Sequence, residues 1–274
     1  MVDLSGIQGK LDRADEHLKS VDTELAVFRK QHPYDVMIEP NHDRTEYVAR
    51  VDGVVPVPLP ISVLVGDCLY NMRSALDHLV YQLVIDNGRT AGFKTAFPIF
   101  TDPSLFRETT KTGKPTSRSG MKKIEGCSSA AQAIIEGLQP YARLAGKVNA
   151  SGPIMERLLL QNPLKVLDDL TNIDKHRLLH IAWTSVIHEA VWVQDLDNFP
   201  DGGGPTRFGP VENGAVVARY VFPRPVDPTE VSFQISIEET LEHEWQIQTG
   251  AVYGAVERLH KLRAGVDETV GALT

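Results

Sequence analysis

Cysteine is almost missing from this chain of 274 residues; only Cys68 and Cys127 occur. Two thiols make neither a disulfide framework nor a paired-cysteine zinc motif. Long apolar runs are missing too, since no stretch approaches the roughly 18 consecutive apolar residues of a spanning helix. The opening residues, MVDLSGIQGKLDRADEHL, lack the basic-then-apolar pattern of a signal peptide, so a cytoplasmic protein with no membrane contact is expected. There is no basic excess. The formal charge of −8 argues against a protein that coats nucleic acid indiscriminately, while leaving room for a local basic site. No phosphate-loop pattern is found either: Gly202 to Gly204 follow no strand-then-helix signature and read as a flexible loop.

What the chain does have is ordinary globular composition, 42% hydrophobic and 23% charged, on a length that can bury a real core. Leu4 to Lys30 repeats apolar residues at helical spacing, with a heavily charged opposite face. Tyr34 to Ile38 and Glu46 to Val51 read as a hairpin, and PVPLP at Pro56 to Pro60 as a stiff connector. Ile61 to Asn87 is the central helix, with Ile61, Val65, Cys68, Leu69, Met72, Leu76, Leu79 and Leu83 on one stripe. Asn87-Gly88 marks its stop.

Phe93, Phe97, Ile99, Phe100 and Phe106 are expected to plug the next loop back onto the core. Arg107 to Lys123, rich in Gly, Pro, Ser and Thr, reads as a mobile loop. Short helices follow at Ser128 to Leu138 and Met155 to Gln161, and a longer one starts at Pro163 and runs through NIDKHRLLH. From Ile181 onward, IAWTSVIHEAVWVQDL, GAVVARYVF and EVSFQISI are strand-like. Leu241 to Leu273 reads as a last long helix, with Trp245 and Val252 among its apolar positions.

The fold class is therefore α+β: a helical bundle from 1–31, 61–180 and 240–273, and one antiparallel sheet of about five strands from 34–52 and 181–238. A single compound domain over 1–274 is expected, because the bundle draws on both ends of the chain.

Chemistry concentrates in NMRSALDH on the central helix. Asn71, Ser74 and His78 flank the apolar stripe on one side, and Arg73, Asp77 and Tyr81 on the other. Polar groups crowded onto a mostly buried helix are expensive unless they pair or work. The arrangement Arg73-x4-His78, with Asn71 and Asp77 beside it, resembles the signature of the HEPN superfamily (higher eukaryote and prokaryote nucleotide-binding). That superfamily consists of helical-bundle proteins, many of which are metal-independent ribonucleases.

The resemblance implies that Arg73 and His78 form the catalytic pair and that two copies face each other as a homodimer. RNA would be the substrate, and a protein partner could regulate access to it. The chemistry is coherent without a metal or cofactor. Imidazole can take the proton from a 2′-hydroxyl or return one to the leaving oxygen, and guanidinium can hold the charge that builds on phosphate.

Geometry leaves an alternative open. Arg73 and His78 stand about 140° apart on an ideal helix, so they converge only through a bend, a long reach or a second subunit. Arg73 and Asp77, at a four-residue spacing, suit an intrahelical ion pair in a purely structural network.

The second cluster, Asn172, Asp174, Lys175, His176 and Arg177, is expected to face the NMRSALDH helix and supply its counterparts. If the helix persists, Asp169, Asn172, His176 and His180 share one stripe. His176 and His180 could then ligate a metal together with His78 or Asp169, although Lys175 and Arg177 oppose it. The basic residues Lys111, Lys114, Arg118, Lys122 and Lys123 are either a solvated loop or a phosphate-binding arm.

Overall fold

The computed structural model describes residues 2–144, 152–179, 181–205, 210–242 and 253–274. It is α+β, and its described residues divide into two compact units. A helical unit draws on Met1–Val21, Val63–Leu179 and Val256–Thr274, and a sheet unit on Asp22–Ser62 and His180–Ala255. Among the described residues no helix is long and apolar enough to cross a membrane.

The helical unit is built round α2 (Leu59–Asp86), flanked by α1 (Ser5–Arg29). The expected stripe is the buried one: Val65, Cys68, Leu69, Met72, Leu76 and Leu79 are all fully inaccessible. The Cys68 thiol donates to the Ala14 carbonyl of α1 at 3.3 Å. Gly88, at φ +68°, ends α2 by turning the chain into the left-handed region that a side chain resists.

Short helices α3 (Pro103–Phe106), α4 (Gly120–Lys123), α5 (Ser129–Gly137), α6 (Pro140–Leu144) and α7 (Pro153–Leu160) follow. The Ser128 hydroxyl caps α5 by accepting from Ala131 N, as its position before an apolar run foretold. α8 (Pro163–His176) starts on Pro163, capped by Asn162, and α9 (Ala255–Gly271) packs on it at Gly265, where an added Cβ would lie 2.6 Å from Pro163 Cβ. Arg263 of α9 also grips Asp15 of α1 at 2.8 and 3.1 Å.

The sheet unit departs from the single sheet expected. β1 (Asp35–Pro40), β2 (Glu46–Asp52), β4 (Gly202–Pro205) and β5 (Val216–Val221) form one antiparallel sheet in the order β1-β2-β5-β4. β3 (Ile181–Val193) and β6 (Val231–Leu241) pair separately, in register from Ile181↔Leu241 to Val193↔Val231. Each layer has an apolar face that needs cover, and the two meet over Tyr47, Ala49, Val51, Trp183, Tyr220 and Ile237. Tyr47 and Tyr220 lie with ring centroids 5.2 and 5.1 Å from Phe233 of β6. Glu239 is fully buried and held by Arg29, whose Nε donates to it at 2.9 Å.

Three further expectations are corrected here. Gly202 to Gly204 belong to strand β4 and are not a free loop. A Cβ on Gly203 would sit 2.1 Å from the Arg219 carbonyl oxygen, so only glycine lets this edge strand come close enough to pair. Leu241 closes β6 instead of opening a helix, and α9 begins at Ala255; Trp245 and Val252 lie outside the described residues. The stretch 107–123 is not a featureless loop. A bridge pairs Thr109 with Pro115, Thr110 N donates to Lys114 O at 2.7 Å, and Lys122 and Lys123 sit on α4 behind the Ser119 cap.

Candidate functional site

The two residues of the R-x4-H pair leave α2 in different directions, as the spacing on an ideal helix requires. Arg73 is nearly buried, its side chain only 12% exposed, and its Nη2 donates to the Phe97 carbonyl at 2.6 Å. The same Nη2 lies 3.0 Å from Asp77 Oδ1, and that oxygen accepts from Phe97 N at 2.9 Å. One helical turn of α2 thus holds both backbone polar groups of Phe97, whose side chain is fully buried. The segment 96–98 is a strap fastened to α2 by the motif arginine and by Asp77, the residue before the motif histidine.

His78 is exposed and lies against α1 instead: its Nδ1 is 3.3 Å from where a Cβ of Gly6 would be. Asn71 is buried and spends its amide on the Asp67 carbonyl of its own helix, at 2.8 Å. Neither touches Arg73. Within one chain, the constellation is split.

The second cluster reaches α2, but not at the motif. The Asp174 carboxylate rests on Gly66, where a Cβ would stand 2.6 Å from Oδ1. Burial, and then the neighbouring Asp67 carboxylate, push the Asp174 carboxyl above the usual range. α8 ends at His176, because Arg177 is extended at φ −160° and ψ 160°. The expected stripe through His176 to His180 therefore does not form on one helix, and His180 lies outside the described residues. Among the described residues no group of three His, Cys, Asp or Glu side chains could hold a metal. Asn172 bonds Asp168 of its own helix at 3.3 Å, Asp169 pairs with Lys165, and Lys175, His176 and Arg177 are exposed.

The basic residues separate into two groups. Lys111, Lys114 and Arg118 are exposed. Lys122 pairs with Glu125. Lys123 is different. Its carbonyl accepts from Ala96 N at 3.4 Å, so it is anchored to the strap residue next to the one Arg73 holds. Its ammonium lies 5.7 Å from the centre of the Phe100 ring and has no carboxylate partner among the described residues. Burial lowers its pKa from the ordinary lysine value, and the Arg73 guanidinium adds to the effect; Asp168 and Asp77 oppose it, and Lys175 reinforces it. Arg73 Nη1 is buried without a hydrogen-bond acceptor.

Two thiols and one loop remain. Burial pushes Cys68 up to about 12 and Cys127 to about 11, so neither supplies a thiolate nucleophile. Phe97 and Phe106 plug the core as expected, but Phe93 does not; its side chain is completely exposed, at 104%. Sequence reasoning missed the strap, because nothing in the pattern around Phe97 announces that its backbone is the partner of Arg73. Comparison of the chain with family models, curated proteins and solved structures finds no match.

Proposed function

We propose that this protein binds a phosphate-bearing ligand, RNA, through Lys123 and Lys175, beside Arg73 in the helical unit, and that a single chain binds without cleaving. The observation that carries this reading is the anchoring of two cationic residues to adjacent strap positions. Arg73 holds the Phe97 carbonyl and keeps a buried Nη1 without an acceptor, and the half-buried Lys123, tied to Ala96 through its backbone carbonyl, has no carboxylate partner among the described residues. Like charges confined together away from water cost free energy, and an anion between them removes that cost. The Arg73–Asp77 pair is already neutralised, so Lys123 is the charge that the ligand would meet. The net charge of −8 restricts contact to such local sites.

Equilibrium binding of a labelled RNA pool tests the reading. Lys123→Gln is expected to lower affinity about tenfold and to flatten the fall of affinity with salt by about one phosphate contact. The same substitution should stabilise the free protein at neutral pH. A lysine whose folded pKa is depressed carries a penalty that sets in as pH falls through the ordinary lysine value and is complete below the folded one, and glutamine has none. Unchanged RNA affinity in Lys123→Gln would refute the reading.

HEPN-type cleavage is the second reading, favoured by one observation. His78 is exposed, so a second copy of the chain could carry an arginine to it in a homodimer. A test of that reading is RNA cleavage in excess chelator by wild type, abolished in His78→Ala with an unaltered fold. A protein partner that regulates access belongs to the same proposal.

A further inference from the structure

The chain from Gly92 to Phe97 connects the Arg73–Lys123 pair to a second feature. Thr95 N donates to Gly92 O at 3.0 Å, and Gly92 N donates to Thr95 Oγ1 at 2.9 Å. That doubly closed turn holds Phe93 and Lys94 at its apex, with the Phe93 ring bare to solvent. A large aromatic ring presented this way, on a pinned turn and not on a loose tail, has no role in packing.

Phe93 and Lys94 line a cavity of about 780 Å³ together with Arg89, Ser128, Ser129 and the Lys122–Glu125 ion pair. Arg89 and Lys94 have no carboxylate partner among the described residues, and Ser128 and Ser129 set the N-terminal end of α5 on the cavity wall. Lys122 and Lys123 are neighbours on α4, the first lining this cavity and the second lying over Phe100 beside the strap. From Phe93 to Phe97 the chain spans at most about 14 Å.

We infer that a single-stranded nucleic acid lies along residues 93–97, one base stacked on Phe93, one phosphate at Arg89 and Lys94, and a following phosphate at Lys123. This rests on the phosphate-binding reading above and adds the form of the ligand. An aromatic face offered to solvent can stack only a base that is free of its partner, and alternating rings and cations are what a flexible single strand meets. A duplex presents its phosphates but hides its bases. It would use the cations alone.

The test is fluorescence anisotropy with a labelled oligoribouridine of about a dozen nucleotides, the same sequence as DNA, and an RNA duplex, with inorganic phosphate as competitor. Phe93→Ala removes a ring that packs against nothing, so its melting temperature should equal that of wild type. It is expected to weaken single-strand binding by about 5- to 150-fold and to leave competition by phosphate unaltered, whereas Lys123→Gln weakens both. If Phe93→Ala binds like wild type while Lys123→Gln is impaired, the strand path is wrong and the phosphate-binding reading stands. If the duplex binds as tightly as the single strand, the path is again wrong. If wild type binds none of the three, the phosphate-binding reading itself fails. DNA bound as tightly as RNA supports the path and removes RNA as the specific ligand.

Discussion

Replacing Asp77 tests whether the motif on α2 is architecture. Asp77→Ala removes the acceptor of Phe97 N, 2.9 Å away, and the ion pair with Arg73 at 3.0 Å. A hydrogen bond to a charged group contributes about 1.5–3 kcal/mol, and a buried N–H without an acceptor costs about as much. The ion pair adds less than about 1 kcal/mol, because Asp77 is 36% exposed and screened by water. The expected loss is about 3 kcal/mol.

Asp77→Asn keeps an oxygen for Phe97 N and should lose only about 1 kcal/mol. Arg73→Ala, which frees the Phe97 carbonyl, should lose a similar amount to Asp77→Ala. The double variant should lose less than the two added together, by about 1 kcal/mol or more, since both residues hold the same peptide. Urea denaturation followed by far-ultraviolet circular dichroism is the assay. Trp183 and Trp192 belong to the sheet unit, so tryptophan emission would report on the wrong part of the molecule. A loss below about 0.5 kcal/mol for Asp77→Ala, or strict additivity, would show that the strap is not held as described.

Arg29→Ala should destabilise the sheet unit by about 3 kcal/mol in chemical denaturation read by tryptophan emission, because it strands the fully buried Glu239 carboxylate without its cation. Gly203→Ala should lose about 1–3 kcal/mol in the same assay, since φ there is +132° and the new Cβ meets the Arg219 carbonyl; a neutral result would return Gly202 to Gly204 to the status of a linker. Asp174→Asn should stabilise the helical unit at pH 7. The folded carboxyl is raised above its unfolded value, so the aspartate favours the fold only below that value and loses this as pH rises through the folded one. Melting curves of the two proteins should therefore converge as pH falls toward the unfolded carboxyl range, and a constant gap across pH would contradict the assigned cause.

Short-range signals were the legible ones. The helical period through α1 and α2, the serine before α5, Pro163 at the start of α8 and the glycine after α2 each act within a turn or two of chain, and each lies where its chemistry indicates. The alternation of β-branched and aromatic residues in β3, β5 and β6 is equally local. Signals failed where a distant partner overrode a weak preference. Three glycines carry no strand propensity, yet β5 recruits them as β4. NIDKHRLLH contains no glycine or proline to end a helix, yet Arg177 leaves it. Leu241 continues β6 because Ile181 pairs with it.

The candidate site divides along the same line. That Arg73 and His78 leave α2 on different flanks, and that Arg73 can pair with Asp77, follows from residue spacing and the geometry of one helix. That Arg73 is tied to Phe97, 24 residues away, that Lys123 joins it there, and that Phe93 faces water while Phe97 is buried, was decided by tertiary structure alone. A backbone carbonyl looks the same at every position of a sequence. Only the packing of the strap against α2 makes the carbonyl of Phe97 the one that must be satisfied.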